Sequence, residues 1–213
     1  MERHIDYLRQ VYAVADFHVQ TEPVCRPMSV NLVTKPVSRR FRTPKNRIRE
    51  RLGISCNSKV IFITMGGIPE KLDFLDKLKT LGDTVSIVPG MSKVTERQGN
   101  VVCLSFRSGF YHPDLVNASD AVVGKAGYST LSEVYYAGIP FGYITRSQFC
   151  EAEILSKFIK EEMEGVEIKE SEYRNGFWIN YVEELLSLPR IQRNAPNGSE
   201  QIARFVLEIL KDI

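Results

Sequence analysis

From residue 46 onward, short apolar runs alternate with helix-patterned stretches. The run at 59–64, Lys-Val-Ile-Phe-Ile-Thr, is β-branched and aromatic almost throughout. That is the pattern of a strand buried on both faces. Met65-Gly66-Gly67 follows it, and a helix is expected over roughly 70–81. Further strands are expected at 84–88, 101–104, 121–123 and 141–145, with a sixth at 166–168. Between and after them, helices are expected at 47–52, 113–117, 129–137, 151–162, 178–187 and 199–211. Gly138-Ile139-Pro140 ends the helix at 129–137, and Asn197-Gly198-Ser199-Glu200 supplies turn and capping residues before the last one. Such alternation is the signature of right-handed βαβ units. The expected fold is therefore α/β, a Rossmann-like parallel sheet of about six strands with helices on both faces. Ligands of such sheets bind on the loops beyond the carboxyl ends of the strands, so the search for chemistry narrows to those loops.

The first 45 residues read differently. Pro23, Pro27, Pro36 and Pro44 accompany a basic cluster, Arg39-Arg40-Phe41-Arg42. Prolines this frequent argue against a long helix, because each lacks an N–H and disfavours helix before it. Short extended pieces are expected at 17–20 and 30–34. Residues 1–45 are expected to be a linker or the remnant of a neighbouring amino-terminal domain, and residues 46–213 the Rossmann-like domain.

Composition narrows the classes of partner. A net charge of +2 over 213 residues is too small to imply nucleic acid. No apolar run reaches the length of a membrane span, and the start, Met1-Glu2-Arg3-His4-Ile5-Asp6, lacks an apolar signal-peptide core. A cytoplasmic location is the expectation. Cys25, Cys56, Cys103 and Cys150 form no Cys-x-x-Cys pair, and His4, His18 and His112 show no paired helical spacing. Neither a metal site nor a disulfide framework is expected.

Three loops carry candidate chemistry. Gly66 and Gly67, directly after a buried strand, allow backbone to approach a phosphate closely, or simply make a tight turn. The segment 124–133, Gly-Lys-Ala-Gly-Tyr-Ser-Thr-Leu-Ser-Glu, also links a strand to a helix. Gly124 and Gly127 permit close approach. Ser129 and Thr130 fall where the first helical N–H groups lack partners, and Lys125 can neutralise phosphate charge. Glu133 stands at capping-box spacing from Ser129 or Thr130, so it either reaches back to the N-cap amide or accepts bonds from a ribose. The third loop, 145–153, brings together Arg146, Gln148, Glu151 and Glu153, side chains suited to sugar hydroxyls or to the start of the next helix. Phe106, Phe110 and Tyr111 are either pocket lining for a nucleobase or cover for the sheet. Neither a Walker phosphate loop nor a Gly-x-Gly-x-x-Gly fingerprint occurs.

The stretch 118–133, Ala-Ser-Asp-Ala-Val-Val-Gly-Lys-Ala-Gly-Tyr-Ser-Thr-Leu-Ser-Glu, resembles the carboxyl-terminal signature of GT-B glycosyltransferases. Ala137-Gly138-Ile139-Pro140 and Asn197-Gly198-Ser199-Glu200-Gln201-Ile202-Ala203 extend the likeness. Within that superfamily the chain is similar to the group of the peptidoglycan N-acetylglucosaminyltransferase. It is closer still to the glycosyltransferase-like region of L-arabinokinases, through Tyr111-His112-Pro113-Asp114-Leu115 and Gly124-Lys125-Ala126-Gly127-Tyr128. The resemblance implies one half of a GT-B fold that binds a nucleotide sugar, UDP-linked, as substrate, without a further cofactor or metal and with inversion. It places the diphosphate between Gly66 and Gly67 on one side and Lys125, Gly127, Tyr128, Ser129 and Thr130 on the other. It places the ribose on Glu133 and the donor sugar near Gln148 and Glu151. The catalytic base usually comes from the amino-terminal half of the family's fold, so no catalytic residue is assigned here, and an amino-terminal GT-B domain or subunit is the expected partner. The alternative is a non-catalytic nucleotide-binding or regulatory module derived from such an enzyme.

Overall fold

The computed structural model describes residues 2–66, 72–146 and 148–211. Two compact units emerge, one from Ser38 to Asn194 and one joining the first 37 residues to the segment from Ala195 onward. The division thus falls at Val37/Ser38 rather than 45/46, and the last helix groups with the amino-terminal segment rather than with the sheet.

In the smaller unit, α1 spans Glu2–Ala13, β1 Val19–Thr21 and β2 Leu32–Thr34. The two strands pair in parallel, Val19 opposite Leu32 and Thr21 opposite Thr34. Helix α1 was not expected. The prolines that argue against helix begin only at Pro23, beyond its end, so the breaker rule was applied to residues it does not reach.

The larger unit runs α2 Lys45–Arg51, β3 Val60–Thr64, α3 Leu75–Leu78, β4 Val85–Ser92, β5 Glu96–Gln98, β6 Val101–Ser105, α4 His112–Ala118, β7 Ala121–Lys125, α5 Tyr128–Ala137, β8 Phe141–Ile144, α6 Ala152–Glu162, β9 Gly165–Ile168, α7 Glu170–Asn175 and α8 Val182–Ser187. Helix α9, Gly198–Ile209, closes the chain in the smaller unit. The sheet has seven strands in the order β5-β6-β4-β3-β7-β8-β9, all parallel except for the edge pairing of β5 with β6. The extra strand, β5, is short and fully exposed, Glu-Arg-Gln, and carries no apolar signal to find. Helix α7 was likewise unforeseen. Its six residues are mostly polar and bury only Tyr173.

Strand residues alternate between two cores. Val60, Phe62, Val122 and Phe141 face one layer with α4, α5 and α6. Ile61, Ile63, Val123 and Ile144 face the other, with Leu78, Tyr173, Trp178 and Leu185. Burial on both faces explains why these strands read as continuous apolar runs. After β3 the chain steps outward to β4 and β6, then crosses back to lay β7 on the other side of β3. The strand order therefore reverses between β3 and β7, and the crevice beyond their carboxyl ends is the place where open α/β sheets take ligands.

Candidate functional site

Both glycine-bearing loops leave the sheet at that switch point. Thr64, the last residue of β3, sits in register with Gly124 of β7. Gly66 follows with a φ of +71°, a left-handed angle that a side chain resists. Gly67 lies outside the described residues. A Cβ on Gly124 would stand 2.2 Å from the Thr64 carbonyl oxygen, so this glycine serves the contact between strands. Gly127 differs. Its φ is −113°, and a Cβ there would meet nothing within 4 Å.

Gly127 is the N-cap of α5, and no side chain caps that helix. The first intrahelical bond closes from the Leu131 amide to the Gly127 carbonyl. The amides of Ser129 and Thr130 therefore precede the bonded ladder, at the positive end of the helix dipole. Ser129 is exposed and Thr130 is buried, while Lys125 and Tyr128 are half-buried at the mouth of the loop. The Ser132 hydroxyl donates back to the Ser129 carbonyl.

Glu133 does not close a capping box. It is buried to 1% exposure, and its carboxylate points away from the N-cap toward two cationic or polar partners. Arg39 donates to Oε1 through Nε at 2.8 Å and Nη2 at 2.5 Å. His112 Nδ1 lies 2.6 Å from Oε2, and its Nε2 lies 3.0 Å from the Thr64 hydroxyl. Because the carboxylate can only accept, Nδ1 carries a proton. In the neutral ring Nε2 then accepts from Thr64. The order hydroxyl, imidazole, carboxylate is that of an activated nucleophile. Thr64, however, is 2% exposed, so its hydroxyl offers a substrate no approach. The chain instead braces the end of β3 against α4 and α5.

The neighbouring aromatics carry guanidinium groups. Arg39 and Arg42 lie over the Tyr111 ring at 5.4 and 4.2 Å, and Arg51 lies over Phe110 at 4.4 Å. Asp114 is buried and accepts the amides of Arg42 and Thr43 at 2.7 and 3.1 Å, which fixes the path of this basic segment. Reading the sequence missed Arg39, although the basic cluster was visible. Nothing in spacing links residue 39 to a carboxylate 94 positions away.

The third loop is the least assembled. Gln148 and Glu151 are exposed, and Glu151 is the N-cap residue of α6. Arg146 lies over the Phe149 ring at 3.8 Å. Among the described residues, no group of three or more His, Cys, Asp or Glu side chains could hold a metal ion. No helix among them is long and apolar enough to cross a membrane.

A parallel sheet that reverses its strand order between β3 and β7 is Rossmann-like, the architecture of one half of a GT-B fold. A solved structure shares the fold. The spinosyn forosaminyltransferase SpnP is similar in structure with a TM-score of 0.53 and 14% identity, over 79% of this chain and 45% of that one. The glycosyltransferase SnogD from Streptomyces nogalater gives a TM-score of 0.46 and 16% identity, over 85% of this chain and 51% of that one. In sequence, the chain is 28% identical over 199 residues to an L-arabinokinase from Arabidopsis thaliana, covering 92% of this chain and 19% of that protein. The chain thus spans about a fifth of the curated relative and about half of these solved structures. No protein-family model matches it.

Proposed function

We propose that the chain is the nucleotide-sugar-binding half of a GT-B glycosyltransferase. Its substrate in this reading is a UDP-linked sugar, transferred with inversion and without a metal. An amino-terminal half, on the same polypeptide or on a separate subunit, supplies the acceptor site and the catalytic base. The observation that carries the reading is the uncapped start of α5, with open space at Gly127, at the sheet's switch point. The amides of Ser129 and Thr130, which precede the bonded ladder, and the helix dipole suit a diphosphate leaving group, and such fixed dipoles stabilise developing negative charge where a metal would otherwise do so.

The test is a thermal-shift screen with UDP-, GDP-, CMP- and dTDP-linked sugars. A ligand about a hundredfold above its Kd stabilises by about 2.7 kcal/mol, which raises Tm measurably. Ser129→Asp separates helix from ligand. A carboxylate in the first turn stabilises the free helix by about 0.3–1 kcal/mol, but it repels a diphosphate. The variant is expected to melt no lower than the parent and to lose the nucleotide shift. A retained shift removes the diphosphate from this helix.

A second reading, a non-catalytic nucleotide-binding module, is favoured by the similarity to one fifth of a protein named as a kinase rather than a glycosyltransferase. It predicts nucleotide binding with no sugar transfer even beside a complete amino-terminal half.

A further inference from the structure

Glu133 is the residue that the resemblance assigns to a ribose, yet its two oxygens already accept three bonds at 1% exposure. Two of these are charge-assisted bonds from one planar guanidinium, a geometry stronger than bonds from neutral hydroxyls. A ribose would have to reach the remaining lone pair of a carboxylate that is 1% exposed, or displace Arg39 and leave a buried charge with a weaker set of partners. A ligand therefore meets the exposed guanidinium before it meets the acid. The Arg39 side chain is 53% exposed, and among the described residues its Nη1 makes no hydrogen bond. Arg42 shares the Tyr111 ring with it, so two positive charges converge there. Asp114, the nearby acid, is buried and turned into backbone amides.

We propose that Arg39 is a phosphate-binding residue of this site and that Glu133 is the positioning residue that holds its guanidinium, not a ligand to ribose. The identity of the ligand as a nucleotide rests on the function proposed above, but the anion site does not.

Calorimetric titration with inorganic pyrophosphate, UDP and uridine separates the two. Arg39→Lys keeps a cation beside Glu133, so the fold is preserved while the fork is lost. It is expected to weaken pyrophosphate and UDP by about tenfold and leave uridine unchanged. Glu133→Gln is expected to act in the same direction, with the double variant no weaker than Arg39→Lys alone, because both act through one guanidinium. If Glu133→Gln weakens uridine as much as UDP, or if Arg39→Lys leaves pyrophosphate untouched, the proposal is overturned. Pyrophosphate binding that depends on Arg39, without tighter binding of UDP, would uphold the anion site and remove the nucleotide reading. UDP binding indifferent to Arg39 would do the reverse. Binding of neither probe at millimolar concentration would remove both.

Discussion

The two ends of strands β3 and β7 each hold an acid paired with arginine, half-buried at one end and fully buried at the other, and they are built for different purposes. At the amino ends, Asp120 accepts from Lys45 at 2.9 Å, Arg49 at 2.8 Å, Arg190 at 2.8 Å and the Val60 amide at 2.9 Å. Arg49 goes on to the carbonyls of Ala118, Cys56 and Ser58, and Arg190 to that of Ser119. The cluster ties α2, the first residue of β3 and the entrance of β7 through their backbones, and the Arg49 side chain is only 6% exposed. At the carboxyl ends, Glu133 is buried more deeply, at 1% exposure against 17% for Asp120, but its arginine is half in solvent and among the described residues bonds to no backbone carbonyl. In the first cluster both arginines, even the 44% exposed Arg190, spend further donors on backbone carbonyls, whereas the second leaves the outer face of its guanidinium to solvent. Where a buried acid's partner spends its remaining donors therefore distinguishes a brace from a binding site.

The largest expected effect follows from breaking the brace. Asp120→Ala leaves Arg49 buried without its counter-charge, at a cost of about 3–5 kcal/mol by urea unfolding. Whatever fraction stays folded is expected to keep its nucleotide shift. A loss below about 1 kcal/mol would show that Arg49 is satisfied by the carbonyls alone.

Acid sharpens the same contrast. Burial by itself would raise the Asp120 carboxyl, but the bonds from Lys45 and Arg49 outweigh it and draw it down to about 2. Burial is also the largest influence on Lys45 and keeps it below the usual lysine value despite Asp120. A carboxyl lowered on folding adds stability above its unfolded value of 3.8, and that stability is lost as pH falls toward about 2. The contribution is about 2 kcal/mol. Urea midpoints of the parent and Asp120→Asn are thus expected to converge over this window. Parallel curves would deny Asp120 its role in acid sensitivity.

Much of the sheet was legible because its strands are apolar on both faces, as in Val60–Thr64 and Ala121–Lys125. Its exposed edge strand β5 was not, since Glu-Arg-Gln buries nothing. The loops of the candidate site were legible from glycine placement after those strands. The partners of Glu133 were not, because capping-box spacing is local, whereas Arg39 and His112 reach it only through the fold. The spacing rule identified an available acid but could not say which donors would claim it.

The two glycines at the end of β7 and the start of α5 make the smallest and most discriminating test. Sequence treats Gly124 and Gly127 alike, and the structure separates them. At Gly124 a methyl group would collide with the Thr64 carbonyl, a backbone atom that cannot swing aside. At Gly127 the methyl group would enter open space at an angle any residue adopts. Gly127→Ala is therefore expected to change stability by less than about 1 kcal/mol, the range of an N-cap exchange. The methyl group nevertheless stands where the proposed diphosphate would lie against the amides of α5, so the nucleotide-induced rise in Tm is expected to shrink or vanish. Asp120→Ala would lose stability and keep binding, whereas Gly127→Ala would keep stability and lose binding. If Gly127→Ala instead melts several degrees lower and binds nucleotide normally, the glycine serves the turn, and the carboxyl end of the sheet is a brace like the other.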